Sequence, residues 1–131
     1  MDLSKIDLAA AADKGITVDL LHPVTGDSLE DEDGKAVSIK VLGKDSKKWV
    51  MALRKMESRN AQNLKANSAR DTEARLLEAL AECTLSWHNI DYDGKKLPCN
   101  KENALMLYKT RGWITEQIIE AASDRGLYYQ K

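Results

Sequence analysis

Phenylalanine is absent from the sequence, so aromatic packing must come from three tryptophans and four tyrosines. There are only two cysteines, Cys83 and Cys99, whereas a secreted disulfide scaffold usually carries more. Long apolar runs are also missing, because a run such as Leu8–Ala12 falls far short of the roughly 20 residues that a bilayer span requires. The N-terminus shows no basic stretch followed by an apolar one, the pattern of a secretory signal. These absences predict a cytoplasmic protein.

The composition is that of an ordinary globular protein. With 43% hydrophobic and 31% charged residues, the chain is too apolar for an intrinsically disordered protein. Its 131 residues suit one domain with one core. We therefore predict a single domain over residues 1–131. It would hold a helix and a β-ribbon in residues 1–44, a helical body in residues 45–126 and a short tail in residues 127–131.

Charge is unevenly spread along the chain, although the net charge is −1. Residues 1–44 contain nine acidic and five basic side chains, and Glu30–Asp33 are all acidic. Residues 46–70 contain seven basic side chains and one acidic residue, Glu57. Such a division is compatible with nucleic-acid binding, with head-to-tail self-association, or with a solvated helix face beside a solvated loop.

The first 44 residues predict a short helix followed by two strands. Ser4 and Asp7 have the spacing of a capping box for a helix over residues 4–14, and Gly15 is placed to end that helix. Ile16–Leu20 and Val37–Val41 alternate apolar and polar residues, which is typical of half-buried strands. We expect an antiparallel β-ribbon joined by a long mobile loop that contains the acidic run.

Helical periodicity dominates after residue 44. Asp45 or Ser46 can cap a helix that carries Trp49, Leu53 and Met56 on one face. Ser68 and Asp71 form a second predicted capping box, which opens a helix reaching Trp87. The apolar stripe of that helix, which we predict to be core, consists of Leu76, Leu77, Leu80, Cys83 and Trp87.

The C-terminal third predicts two further helices. Asn100 can cap the first, and Gly112 separates it from the second. Gly126 can stop the last helix and leave residues 127–131 as a tail. The predicted fold class is α+β and mostly α-helical, with a small antiparallel β-ribbon near the N-terminus packed on about four or five helices.

Two acidic stretches resemble calcium loops only superficially. Counted from Asp91 or from Asp31, the fifth position, where a calcium loop needs an oxygen ligand, is Lys95 or Lys35. Because a lysine there repels calcium, we interpret both stretches as turns.

Zinc binding and nucleophilic catalysis are not indicated either. The histidines and cysteines lack the close paired spacing of a zinc site; they are His22, His88, Cys83 and Cys99. Cys83 with His88 is a conceivable nucleophile–base pair, but Cys83 lies on the apolar stripe of a predicted helix. We predict a non-enzymatic protein with no cofactor, metal-binding or catalytic residues, and the sequence specifies no partner-binding residue.

Residues 87–125 carry a recognisable series of motifs. They contain Trp87, Asp93-Gly94, Leu97-Pro98, Asn100–Ala104, Leu107-Tyr108, Trp113-Ile114 followed by Gln117-Ile118, and Asp124-Arg125. The N-terminal half adds His22–Gly26 and Val41–Ser46 leading into a helix. Together these stretches resemble the tail assembly chaperones of bacteriophages with long non-contractile (siphovirus-type) tails.

That resemblance implies a function in tail morphogenesis. The chaperone would bind the long, largely helical tape measure protein until tail-tube subunits polymerise around it. A longer product of ribosomal frameshifting would recruit the tail-tube protein. The resemblance also implies a protein of the infected host's cytoplasm that is absent from the mature virion, and the divided charge suggests a homo-oligomer.

Two other functional classes remain open at this stage. The basic segment 46–70 would suit a small nucleic-acid-binding regulator, although no zinc-finger, RRM or bZIP pattern is present and the low net charge disfavours strong phosphate binding. A phage head–tail joining protein is the other alternative, and its presence in purified virions would distinguish it.

Overall fold

A three-stranded antiparallel sheet lies at the centre of the computed structural model, which describes residues 1–62 and 69–129. The strands are β1 (Ile16–Asp19), β2 (Ser38–Val41) and β3 (Thr84–His88), in the order β1–β2–β3. A separate hairpin consists of β4 (Asp91–Tyr92) and β5 (Lys95–Lys96). The α-helices of the described residues are α1 (Leu8–Asp13), α2 (Lys47–Gln62), α3 (Ala69–Glu82), α4 (Lys101–Thr110), α5 (Gly112–Ser123) and α6 (Arg125–Tyr128).

The predicted pairing of β1 with β2 is confirmed. The two strands are antiparallel, with Ile16 opposite Val41 and Val18 opposite Ile39. Ile39 and Val41 are fully buried, so one face of the ribbon packs on the core as the alternating pattern predicts. The connection between the strands folds back on itself through bridges between Leu21 and Ser28 and between Glu30 and Ala36.

The prediction of a helix through Trp87 is wrong, and so is a sheet confined to the N-terminal region. Helix α3 ends at Glu82, and Trp87 lies on β3 opposite Ile39. The hydroxyl of Thr84 donates a hydrogen bond of 2.9 Å to the Leu80 carbonyl, which satisfies one of the last carbonyls of α3. Residues 84–88 form a strand instead of a further helical turn because β3 can pair with the free edge of β2. Trp87 is still buried in the core in this conformation.

The N-terminal helix is shorter than predicted and has a different cap. A single 3₁₀ turn, Leu3–Lys5, precedes α1. Asp7 is itself the N-cap of α1, where its carboxylate accepts a hydrogen bond of 2.9 Å from the Ala10 amide. The proposed Ser4–Asp7 capping box is therefore wrong, and Ser4 instead donates to Asp2.

The predicted cap of α2 is confirmed at Ser46. Its hydroxyl accepts a hydrogen bond of 3.2 Å from the Trp49 amide, while Asp45 points elsewhere. Trp49 is buried, and its indole donates to the Leu42 carbonyl at 3.1 Å. The side chains of the second proposed capping box, Ser68 and Asp71, lie outside the described residues, as does that of Met56.

The C-terminal third is partly as predicted. Asn100 caps α4 by accepting a hydrogen bond of 2.8 Å from the Asn103 amide, and α5 begins at Gly112. The predicted stop at Gly126 and the free tail after it are wrong, because α5 ends at Ser123 and Asp124 caps the one-turn helix α6. Residues 130–131 of that predicted tail lie outside the described residues.

The main core packs α3, α4 and α5 against the sheet. Its most buried large side chains include Leu80, Ile39, Ile118 and Tyr108, and the Tyr108 hydroxyl lies 2.6 Å from the Thr84 hydroxyl. The predicted apolar stripe belongs to this core: Leu77, Leu80, Cys83 and Trp87 are buried, and Leu76 is partly buried against them. A second, smaller cluster forms where Tyr128 packs on Ala12 and Ile16.

Candidate interaction surfaces

Helix α6 is fixed to the start of α2 by three side chains. The Arg125 guanidinium pairs with both carboxylate oxygens of Asp45, with Nε 2.8 Å from Oδ2 and Nη2 3.0 Å from Oδ1. The Tyr128 hydroxyl also donates to Asp45. The Arg125 hydrogen bond is the main reason that the pKa of Asp45 falls to about 2. Burial, together with the bond to Asp45, raises the pKa of Tyr128 to about 12.

Gly43 makes the close approach of α6 possible. A Cβ atom at Gly43 would lie 2.7 Å from Cε1 of the Tyr128 ring and 3.0 Å from Cβ of Ala12. The Gly43 amide also donates to the Ala12 carbonyl at 3.1 Å. Thus α1, the β2–α2 connection and α6 meet at a position where a side chain would not fit.

An apolar groove lies between α1 and α6, and we call it the α1–α6 groove. Its volume is about 880 Å³, and its apolar lining consists of Met1, Ile6, Ala10, Ala11, Leu127, Tyr128 and Tyr129. Met1, Ile6 and Leu127 are among the most exposed large apolar side chains of the described residues, at 105%, 43% and 51%. Lys5, Lys14 and Asp7 form its polar rim. Clustered exposure of this kind marks an interaction surface more often than scattered exposure does.

The groove continues along the outer edge of the sheet. A second depression of about 400 Å³ shares Gly15 and Leu127 with it and runs beside Ile16–Asp19, which is the whole of β1. Among the described strands, β1 pairs with β2 alone, so its other edge offers backbone groups to a partner strand.

A separate apolar pocket lies near the junction of α4 and α5, and we call it the Trp113 pocket. Its volume is about 380 Å³, and its lining includes Leu20, Leu29, Val37, Tyr92, Leu107, Trp113 and Ile114. Asp91, Asp93 and Arg111 also border it. The Arg111 guanidinium stands 5.6 Å from the centroid of the Tyr92 ring, which is a cation–π contact.

One exposed face of α2 is basic, and we call it the Met51 face. Met51 is 59% exposed at its centre. Lys47 and Lys48 precede Met51 by four and three residues, and Arg54 and Lys55 follow it at the same spacings, so all five side chains share one side of the helix. This face contains the described part of the basic segment 46–70.

Cys83 and His22 have the surroundings of structural residues, since Cys83 is buried and His22 lies in a hydrogen-bonded turn. Burial raises the pKa of the Cys83 thiol to about 12, which is the opposite of the shift that activates a nucleophile. Nδ1 of His22 accepts hydrogen bonds from the amides of Val24 and Thr25 and so stabilises a turn. Within residues 1–62 and 69–129, no three histidine, cysteine or acidic side chains come together as a possible metal site.

Both stretches that resemble calcium loops are turns in the structure. Asp93 and Gly94 have φ values of +52° and +78°, the left-handed pair that a two-residue β-hairpin turn requires. The Asp31 carboxylate accepts hydrogen bonds from the amides of Asp33 and Lys35, which closes the acidic turn on itself.

Sequence reasoning identified the charge of the Met51 face but neither the groove nor the pocket. Each depression is built from segments far apart in the chain, such as Ile6 with Leu127 and Leu29 with Trp113.

In the described part of the chain, no helix has the length and apolar content needed to cross a membrane. Neither protein-family models, curated proteins nor solved structures give a match to this chain.

Proposed function

We propose that this protein is a tail assembly chaperone of a long-tailed, siphovirus-type bacteriophage and that it binds the tape measure protein in the α1–α6 groove. The motifs of residues 87–125 motivate the proposal, and the solvent-open apolar groove supports it. A helix that presents an apolar stripe can dock into such a groove. The protein acts in the cytoplasm of the infected host, is absent from the mature virion, and helps to recruit tail-tube subunits through a longer frameshifted form.

The charge on the rim of the groove indicates which helical segments the groove would bind. Lys5 and Lys14 are exposed and form no ion pair with any described residue. A tape measure segment with carboxylates beside its apolar stripe would therefore fit better than a basic one. The groove remains open to water, so each contact is of modest affinity, which suits release when tail-tube subunits replace the chaperone.

The test is co-expression with fragments of the tape measure protein, with the soluble yield of each fragment as the readout. Leu127→Glu introduces a charge into the groove at an exposed position and should abolish the gain in solubility. Val24→Glu is the matched control, because Val24 is 86% exposed outside the groove and should behave like wild type. If Leu127→Glu and Val24→Glu raise the soluble yield of the fragments equally, the α1–α6 groove is not the binding site.

The basic Met51 face keeps a nucleic-acid-binding regulator as the second candidate function. Fluorescence anisotropy with a DNA duplex would separate the two functions, since phosphate binding weakens steeply as salt rises. Detection of the protein in purified virions would instead favour a head–tail joining component.

A further inference from the structure

We propose that the outer edge of β1 binds an extended segment of another protein as a fourth strand of the sheet, and that this segment carries a basic residue beside an apolar one. The inference goes beyond the proposed function, because its ligand is an extended chain and the proposed ligand of the α1–α6 groove is a helix. It rests on the direction of the β1 backbone groups, on the depression beside them and on the charge of Asp19.

The register of β1 shows which of its backbone groups point away from the sheet. The Leu20 amide donates to the Val37 carbonyl at 2.9 Å, which continues the antiparallel register of β1 and β2 by one pair. Because hydrogen-bonded and non-hydrogen-bonded pairs alternate along such a ladder, Val18 also directs its amide and carbonyl to β2. Thr17 and Asp19 therefore direct theirs to the outer edge, where no described residue hydrogen-bonds to them.

The next outward-facing residue, Leu21, already has a partner. Its amide donates to Oε1 of Gln117, and its carbonyl accepts a hydrogen bond from Nε2 of the same side chain, both at 2.9 Å. The Gln117 amide thus makes the two hydrogen bonds that a neighbouring strand would make. Along this edge the backbone is satisfied at Leu21 and open at Thr17 and Asp19, which leaves room for one short strand to pair.

The depression beside β1 accommodates an apolar side chain of such a segment. Its volume is about 400 Å³, and Ala121 and Leu127 line it together with β1. Side chains alternate between the two faces of a sheet, so the partner residue opposite Val18 lies on the same face as Val18, which packs against the core. An apolar residue at that position would cover Leu127, which is 51% exposed.

Asp19 determines the charge of the bound segment. It is exposed and forms no ion pair with any described residue. Cβ atoms of directly opposite residues lie about 5 Å apart, so a lysine or arginine opposite Asp19 would pair with its carboxylate. An uncharged residue fits better opposite Thr17, because Lys40 is the cross-strand neighbour of Thr17. In an antiparallel arrangement, like that of the rest of the sheet, the order in the partner is basic, apolar, uncharged.

An NMR titration with a synthetic peptide tests the proposal. The probe is an N-acetylated, C-amidated peptide with Lys-Leu-Thr at its centre and threonines on both sides. It should shift the resonances of β1 and slow the hydrogen exchange of the Thr17 and Asp19 amides, which should exchange rapidly in the free protein. The Val18 amide is the internal reference, since it already bonds to β2.

Two results of this titration would overturn the proposal. One is the absence of shifts at β1, or unchanged exchange at Thr17 and Asp19 when the peptide is in excess. The other is slow exchange of both amides without peptide, which would place a second copy of the chain on this edge. The peptide contains no tape measure sequence, so either result leaves the proposed function standing.

Substitutions at β1 test the edge and the charge separately. Thr17→Pro removes an outward amide at a position where an edge strand tolerates proline, so it should abolish peptide binding, whereas Thr17→Val keeps the amide and should bind like wild type. Asp19→Lys should lose binding of the Lys-Leu-Thr peptide and gain binding of a Glu-Leu-Thr peptide. Circular dichroism checks that each variant is folded. A folded Thr17→Pro variant that binds like wild type, or an Asp19→Lys variant with unchanged preference, contradicts the proposal.

Discussion

At the scale of single residues, Asp45 connects two segments that are far apart in the chain. It lies 80 residues from Arg125 and 83 from Tyr128, yet it hydrogen-bonds both. Its backbone position beside Ser46 suggested a helix cap, but Ser46 takes that role and leaves the carboxylate for α6. A single carboxylate thus joins the beginning of α2 to the C-terminal segment.

The stabilising effect of Asp45 should depend on pH. The folded-state pKa of about 2 lies below the ordinary value of 3.8, so the stabilisation is fully present above pH 3.8 and is lost as the pH falls toward 2. Asp45→Asn should lower the free energy of unfolding at neutral pH, and its deficit relative to wild type should shrink in acid. Urea denaturation followed by circular dichroism measures this deficit, and a deficit independent of pH would contradict the assignment.

Gly43 gives a second test at the same scale. Gly43→Ala places a methyl group in contact with the Tyr128 ring, so it should cost about 1–3 kcal/mol, the usual range for overpacking. Gly112→Ala is the matched control, because a Cβ there meets nothing within 4 Å and should cost little or slightly stabilise α5. Thermal melting of the two variants compares them, and equal melting temperatures would show that Tyr128 is not held tightly against Gly43.

At the scale of elements, β3 shows why local pattern is insufficient here. Leu76, Leu80, Cys83 and Trp87 follow a helical spacing, and all except the partly buried Leu76 are buried. The same stretch nevertheless changes to a strand at Thr84, because β2 offers an edge that residues 84–88 can pair with. That edge is created by residues 38–41, so no local window around Trp87 contains the information.

The same reasoning explains which other elements were predicted. The ribbon of β1 and β2, the Ser46 cap and the Asn100 cap depend on neighbouring residues, and the sequence predicted each of them. Helix α6 was missed because a one-turn helix is stable only through its contacts with Asp45 and Gly43. The groove was missed with it, since α6 forms one of its two walls.

The burial of Leu80 in α3 predicts a large effect of truncation. Leu80→Ala should cost roughly 2–5 kcal/mol, because Leu80 is fully buried between α3 and the sheet. Leu85→Ala is the matched control, since Leu85 is 46% exposed on β3 and should cost much less. Chemical denaturation measures both, and similar losses for the two would mean that the packing of α3 differs from that described.

At the scale of the whole molecule, the proposed function predicts a longer product of the same gene. Its extension would have to begin after Tyr129, because Tyr128 is buried against Ala12 and Ile16 while Tyr129 lines the groove. The gene should then carry a slip-prone codon run near Gln130 and an overlapping reading frame beyond. Mass spectrometry of infected cells would detect the longer form, and a gene without either feature would count strongly against the chaperone proposal.

Met1 and Tyr129 line the same groove, so the two ends of the described chain are neighbours. Proteins with adjacent ends tolerate circular permutation when the new ends fall in an exposed turn. A short linker could join the present ends, and the chain could be reopened beside Val24, where the turn is almost fully exposed. The permuted gene would encode the same packing in a different order, with β2 as its first strand and β1 as its last.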